Sequence, residues 1–166
     1  NNLISMAGLR SLCADVGADC VQTYIQSGNL VFNATATAPS LEAQLEKAIL
    51  RRWKLFIPII VRSAAQWPGY ISNNPFPNAA KNEPNFVMLA LSKSPFKSDT
   101  AEKLLERAAN GERVHQSGDA LWIHFAEGAG KSKLPALFDR FAGSPVTLRN
   151  WNTILKLDEM AREAGE

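Results

Sequence analysis

Gly128-Ala129-Gly130-Lys131-Ser132-Lys133 is the run in this 166-residue chain best suited to an anion. It falls between an expected strand and an expected helix, where free backbone N–H groups and the helix dipole draw negative charge. Gly130, Lys131, Ser132 and Lys133 are therefore candidate phosphate ligands. The run is not the loop of a nucleotide hydrolase, because Phe125 rather than glycine stands five residues before Gly130. A plain alternative is a flexible connection whose lysines are solvated. Arg149-Asn150-Trp151 stands at the next strand-to-helix junction and offers a guanidinium fork, a helix cap and an aromatic face. Arg149 and Asn150 join the candidate ligands, although Asn150 as a simple cap and Trp151 as core filling are the better explanations of those two residues taken singly. If the last strand runs antiparallel to the one before it, the two junctions fall at opposite ends of a sheet.

Two hairpins hold the remaining polar candidates. A Gly118-Asp119 loop pairs Ser117 with Ala120, His115 with Trp122 and Arg113 with His124. Alternation then puts Val114, Leu121, Ile123 and Phe125 toward the core and Arg113, His115, Trp122 and His124 on the other face. An open sheet face of that kind stacks nucleic-acid bases in RNA-binding domains, whereas packing against the rest of the protein is the bland reading. A Ser27-Gly28 loop similarly joins Val21–Gln26 to Asn29–Asn33. Tyr24, Gln26, Ser27 and Asn29 there are candidates to line a cleft, or they satisfy backbone groups of the turn. Two histidines without a third ligand make a poor zinc site, and nothing calls for a metal or a cofactor. No nucleophile with an adjacent base and no carboxylate pair stands out. Cys13 on a helix reads as a small buried hydrophobe.

The elements that must carry these residues are legible from periodicity. After Ser5 as cap, Met6, Leu9, Cys13 and Val16 recur at helical spacing until Gly17. The first hairpin follows, then a helix with Ser40 as cap and Leu41, Leu45, Ala48 and Ile49 on one stripe, then a strand over Ile57–Arg62 with Pro58 marking a sheet edge. Ser63-Ala64-Ala65-Gln66 has capping-box spacing for a short helix that Pro68 would interrupt. Turn formers from Asn73 to Pro84 suggest a linker. Beyond it lie an apolar central strand (Phe86–Leu91) and a helix striped by Ala101, Leu104, Leu105 and Ala108. The second hairpin comes next, then a helix carrying Leu134, Leu137, Phe138 and Phe141, a strand over Pro145–Leu148, and a final helix.

This order gives an α+β class built of duplicated ferredoxin-like βαββαβ halves, the first lacking its opening strand. The expected divisions are 1–72, a linker over 73–84, and 85–166 with the C-terminal helix. A missing central strand leaves neighbouring backbone groups unpaired, so an upstream segment or a partner's strand is expected beside the first sheet.

Composition bounds the partners. Of the residues 46% are hydrophobic and 20% charged, with 18 basic against 16 acidic, an ordinary globular balance without the charge of a strong nucleic-acid binder. No apolar run approaches a membrane span, so no membrane partner is expected. Two cysteines make no disulfide framework, which favours the cytoplasm.

Tyr24-Ile25-Gln26-Ser27-Gly28-Asn29-Leu30-Val31-Phe32, Asn74-Pro75-Phe76, Gly130-Lys131-Ser132-Lys133-Leu134 and Arg149-Asn150-Trp151-Asn152-Thr153-Ile154-Leu155-Lys156-Leu157 closely resemble motifs of the bacterial family called domain of unknown function 1697. The resemblance implies two ferredoxin-like halves and brings no established activity. It also implies an opening strand with an Arg-Gly-Ile-Asn segment, which this sequence does not contain. The expected function is non-catalytic binding of a phosphate-bearing small molecule, or of nucleic acid, through the lysine loop and Arg149. An enzyme working in a cleft between the halves, or a pure protein-interaction module, are the alternatives.

Overall fold

The computed structural model describes residues 4–24 and 28–165, and among these it holds seven α-helices and two antiparallel sheets. The chain divides into two compact units, 1–67 with 156–166, and 68–155.

In the first unit, α1 (Met6–Asp15) opens on Ser5, whose Oγ accepts the Gly8 amide at 3.0 Å, as expected of a cap. Strands β1 (Asp19–Tyr24) and β2 (Asn29–Asn33) pair with Tyr24 opposite Asn29. The expected hairpin placed Gln26 opposite Asn29, so the pairing lies two residues away. A shift of two leaves every side chain on its own face, and alternation cannot detect it. Helix α2 (Ala38–Trp53) is capped by Thr37 rather than Ser40, because Pro39 fits the first turn with its missing N–H at no cost. Leu12, Cys13, Leu45 and Ile49 form a core onto which Leu30 and Phe32 pack, the inward face expected of β2.

The expected strand over Ile57–Arg62 is irregular chain outside either sheet. Two carboxylates of α2 take the place of a ladder: Glu46 Oε1 accepts the Ile59 amide at 3.0 Å and Glu42 Oε2 the Val61 amide at 2.9 Å. The first sheet is thus two strands, β1 and β2.

The second unit begins with α3 (Trp67–Ser72), which Pro68 opens rather than interrupts, since it lies in the first turn. Both capping-box bonds between Ser63 and Gln66 form just before it. The turn-rich stretch expected as a linker contains α4 (Pro77–Asn82), again with proline in the first turn, followed by a 3₁₀ turn over Pro84–Phe86. Then come β3 (Val87–Ser92), α5 (Thr100–Leu105), β4 (Arg113–Ser117), β5 (Ala120–His124), α6 (Phe138–Ala142) and β6 (Val146–Asn150). The sheet order is β4-β5-β3-β6, so the apolar β3 is central as its sequence requires. Leu104, Leu121, Ile123, Phe125, Leu134 and Phe138 form the core under one sheet face. Helix α7 (Trp151–Ala164) follows β6 directly, with Asn150 Oδ1 accepting the Thr153 amide at 3.0 Å.

Candidate functional site

The two strand-to-helix junctions singled out above meet at one end of the sheet. Strands β5 and β6 are both antiparallel to β3, with His124 opposite Val87 and Asn150 opposite Met88, so they run parallel to each other. Both therefore finish where β3 begins, about two strand spacings (roughly 10 Å) apart. The expectation of opposite ends compared the fourth strand with the third, whereas it is the first that separates them. Asn152 Nδ2 donates to Asn85 Oδ1 at 3.2 Å and ties the start of α7 to the turn before β3.

The lysine loop is pinned rather than open. Gly128 has φ +90°, a left-handed conformation that favours glycine, and the Phe86 ring lies at ordinary contact distance beside it. A 3₁₀ turn over Ala129–Lys131 follows. The amides of Lys131 and Ser132 are donated to Gly128 O and Ala129 O, and that of Leu134 to Ser132 Oγ. Ser132 Oγ itself donates to Glu112 Oε2 at 2.8 Å, while Asn110 Nδ2 donates to Lys131 O at 2.8 Å. Burial pushes the Glu112 carboxyl up, but the bonds from Ser132 and from the backbone at Glu112, Asn110 and Ala109 outweigh it and hold the group below the ordinary glutamate value. A carboxylate of the chain itself thus occupies the anion position expected at Ser132. The helix expected to open there starts only at Phe138, after a second 3₁₀ turn at Pro135, and spans five residues. Lys131 and Lys133 are exposed, and among the described residues neither is in an ion pair.

Arg149 is half-buried on β6, donating Nη1 to Thr147 Oγ1 and to Leu148 O at 2.7 Å, and burial lowers its pKa while leaving it a cation. Tyr24 and Asn29 lie in the other unit, where Asn29 Nδ2 donates to Tyr24 O at 3.2 Å and serves the turn. Gln26 and Ser27 lie outside the described residues. Cys13 is buried, and that burial pushes its thiol pKa up, as suits a core residue.

The second hairpin has the expected register, Arg113 opposite His124 and His115 opposite Trp122. Its outer face is covered along β5, where Trp122 and His124 are buried, while Arg113 and His115 on β4 stay exposed, so Trp122 is closed to base stacking. Trp122 is 0% exposed with Trp151 against it at a ring separation of 5.9 Å. The Phe76 ring lies 6.1 Å from that of His124 and 4.6 Å from the Arg113 guanidinium carbon, and Tyr70 Oη donates to Asp119 Oδ2 at 2.7 Å. Tyr70 and Phe76, from the stretch around the expected linker, supply this cover together with Trp151. Because the guanidinium only donates, His124 Nδ1 accepts from Arg113 Nε and Nη2, and Nε2 carries the proton toward Glu83 Oε1, 3.6 Å away.

The same cover creates a groove of about 460 Å³, with walls from Ile71, Pro77 and Ala80 and an indole from Trp151. Ser72, Asn74 and the exposed Lys81 add polar groups at its rim. The sequence signal for it was the Asn-Asn-Pro-Phe-Pro-Asn cluster, whose turn-forming chemistry concealed that it lays a helix onto the sheet.

The family of proteins described as Protein of unknown function (DUF1697) has a model that matches residues 1–122. A solved structure of a conserved bacterial protein from Streptococcus pneumoniae is similar to the chain with a TM-score of 0.74 at 20% identity, covering 98% of this chain and 91% of that one. No curated protein gives a significant match. Among the described residues no helix is long and apolar enough to cross a membrane.

Proposed function

The chain belongs to the DUF1697 family of proteins of unknown function, and on that footing we propose that it binds a phosphate-bearing small molecule without transforming it, at the end of the sheet where β5 and β6 finish. The observation that carries this reading is the parallel course of those two strands, which gathers the lysine loop and the Arg149–Trp151 junction on either side of β3. Lys131 and Lys133 are the anion ligands, as exposed cations in no ion pair among the described residues, on a loop that Glu112 and Asn110 hold in one geometry. A loop already ordered loses little entropy when a ligand arrives. Gly130 and Ser132 shape and fasten that loop. Arg149 and Asn150 fasten the second junction, one along β6 and one at the cap of α7. Tyr24 and Asn29 belong to the first unit and take no part in this site.

The accompanying fold reading is a duplication of ferredoxin-like halves, 1–72 and 85–166 joined through 73–84. In support, the strands of the second unit lie in the order second, third, first, fourth, all antiparallel. A cytoplasmic address belongs to the same reading and rests on sparse cysteine usage.

Titration calorimetry with inorganic pyrophosphate tests the site. Replacing Lys131 and Lys133 together with Ala is expected to weaken binding about tenfold or more at low salt, with a smaller loss at high salt. The urea midpoint should stay nearly constant, since exposed lysines add little stability. Equal affinity in parent and variant would sink the reading.

A further inference from the structure

We propose that the groove bounded by α3, α4 and the first residue of α7 is a binding site for a nucleoside monophosphate, with the base lying on Trp151 and the phosphate at Lys81. This goes beyond the lysine-loop reading and depends on neither Lys131 nor Lys133. At about 460 Å³ the groove falls within the range of small-molecule sites, and it has their chemistry: mostly apolar walls with a few converging polar groups.

Each polar group at the rim has something left to offer. Lys81 is exposed and, among the described residues, in no ion pair. Glu83, two residues on, turns its carboxylate to His124 instead. Asn74 spends its Oδ1 on the Phe76 amide at 2.8 Å, which fixes the carboxamide and leaves both hydrogens of Nδ2 for an acceptor. Ser72 Oγ donates to Gly69 O at 3.2 Å and keeps its lone pairs.

The occupant follows from these groups. The ammonium of Lys81 attracts an anion and repels a cation. The indole of Trp151 selects a flat ring over a bare sugar phosphate. Trp151 is itself held in place by Trp122, fully buried beside it, and a fixed aromatic face is what base stacking requires. A ring donor and acceptor pair on the base has matching partners in Asn74 Nδ2 and Ser72 Oγ.

Titration calorimetry of the full chain with the adenosine, guanosine, cytidine and uridine 5′-monophosphates tests the proposal, with ribose 5-phosphate and adenosine as probes lacking ring or phosphate. At least one monophosphate is expected to bind, and each partial probe at least tenfold more weakly. Lys81→Ala, an exposed change that leaves folding intact, should weaken the monophosphate at least fivefold, and Trp151→Ala at least tenfold. Should Trp151→Ala fail to fold, Trp151→Phe keeps a flat face and should retain binding, while Lys81→Ala alone still decides the anion contact. Lys81→Ala made in the Lys131, Lys133 double-variant background should weaken the monophosphate at least fivefold, as it does in the parent. The proposal is overturned if no monophosphate binds, if ribose 5-phosphate binds as well as the best of them, or if the lysine double variant loses binding that Lys81→Ala leaves untouched. That last result would leave the lysine-loop reading standing alone.

Discussion

Glu112 shows how a side chain outside any recognised motif sets what a motif can do. Its carboxylate accepts from Ser132 Oγ and from the Asn110 amide, and Asn110 in turn holds the Lys131 carbonyl. Glu112 is buried, so these bonds count for more than on an open surface. Replacing it with Gln removes the charge from two good bonds and should cost about 1–2 kcal/mol at neutral pH. The sign of the pH dependence follows from the lowered pKa. The stabilisation is complete above the ordinary glutamate value and is lost as pH falls through the lower value of the folded state. Urea unfolding of parent and Glu112→Gln at pH 7 and near pH 3 should therefore show a gap that narrows in acid. A gap that persists unchanged would mean the carboxylate's charge is not what binds the loop. Sequence spacing could not show this, because Glu112 and Ser132 meet only once β4 and the loop after β5 share a sheet end.

Elements whose limits are set locally were readable, and those set by distant partners were not. The β4–β5 register follows from a two-residue loop with glycine at φ +57° and a strict alternation, and it is observed residue for residue. The start of α1 at Ser5 and the cap of α7 at Asn150 are likewise local matters. The Ile57–Arg62 segment has strand composition, yet its amides find Glu42 and Glu46 of α2, an outcome no propensity encodes. Residues 73–84 carry turn formers because two prolines open helical turns there, and the sequence does not say that the stretch lays Phe76 against His124. A cap prediction belongs at this scale. Asn150→Ala should destabilise the protein by about 1 kcal/mol through loss of the Thr153 amide bond, and denaturant unfolding followed by far-UV circular dichroism reads it. An unchanged midpoint would show that Asn150 adds nothing to α7.

The two units differ in how much apolar surface their sheets sandwich. In the second, a central strand has neighbours on both sides and core on one face with a covering layer on the other. In the first, a two-stranded sheet rests on a core in which Val21, Leu30 and Phe32 are only partly buried. Native-state hydrogen exchange should accordingly give its slowest amides in Val87–Leu91 and markedly faster ones in β1 and β2, since opening free energy tracks buried contacts. Equal protection in the two sheets would contradict that ordering.

The central position of β3 also has a consequence in time. Its partners β5 and β6 both come later in the chain, and β6 ends at Asn150, well beyond Ser92. At a synthesis rate of about 5–20 residues per second, a ribosome needs roughly 3–12 seconds to add the residues between them. Throughout that interval Val87-Met88-Leu89-Ala90-Leu91 is a sticky, β-prone stretch on a nascent chain, the kind of segment that chaperones retain and that aggregates when they are scarce. The yield of this protein in a cell should therefore be governed by the emergence of β6 at least as much as by the stability of the finished sheet.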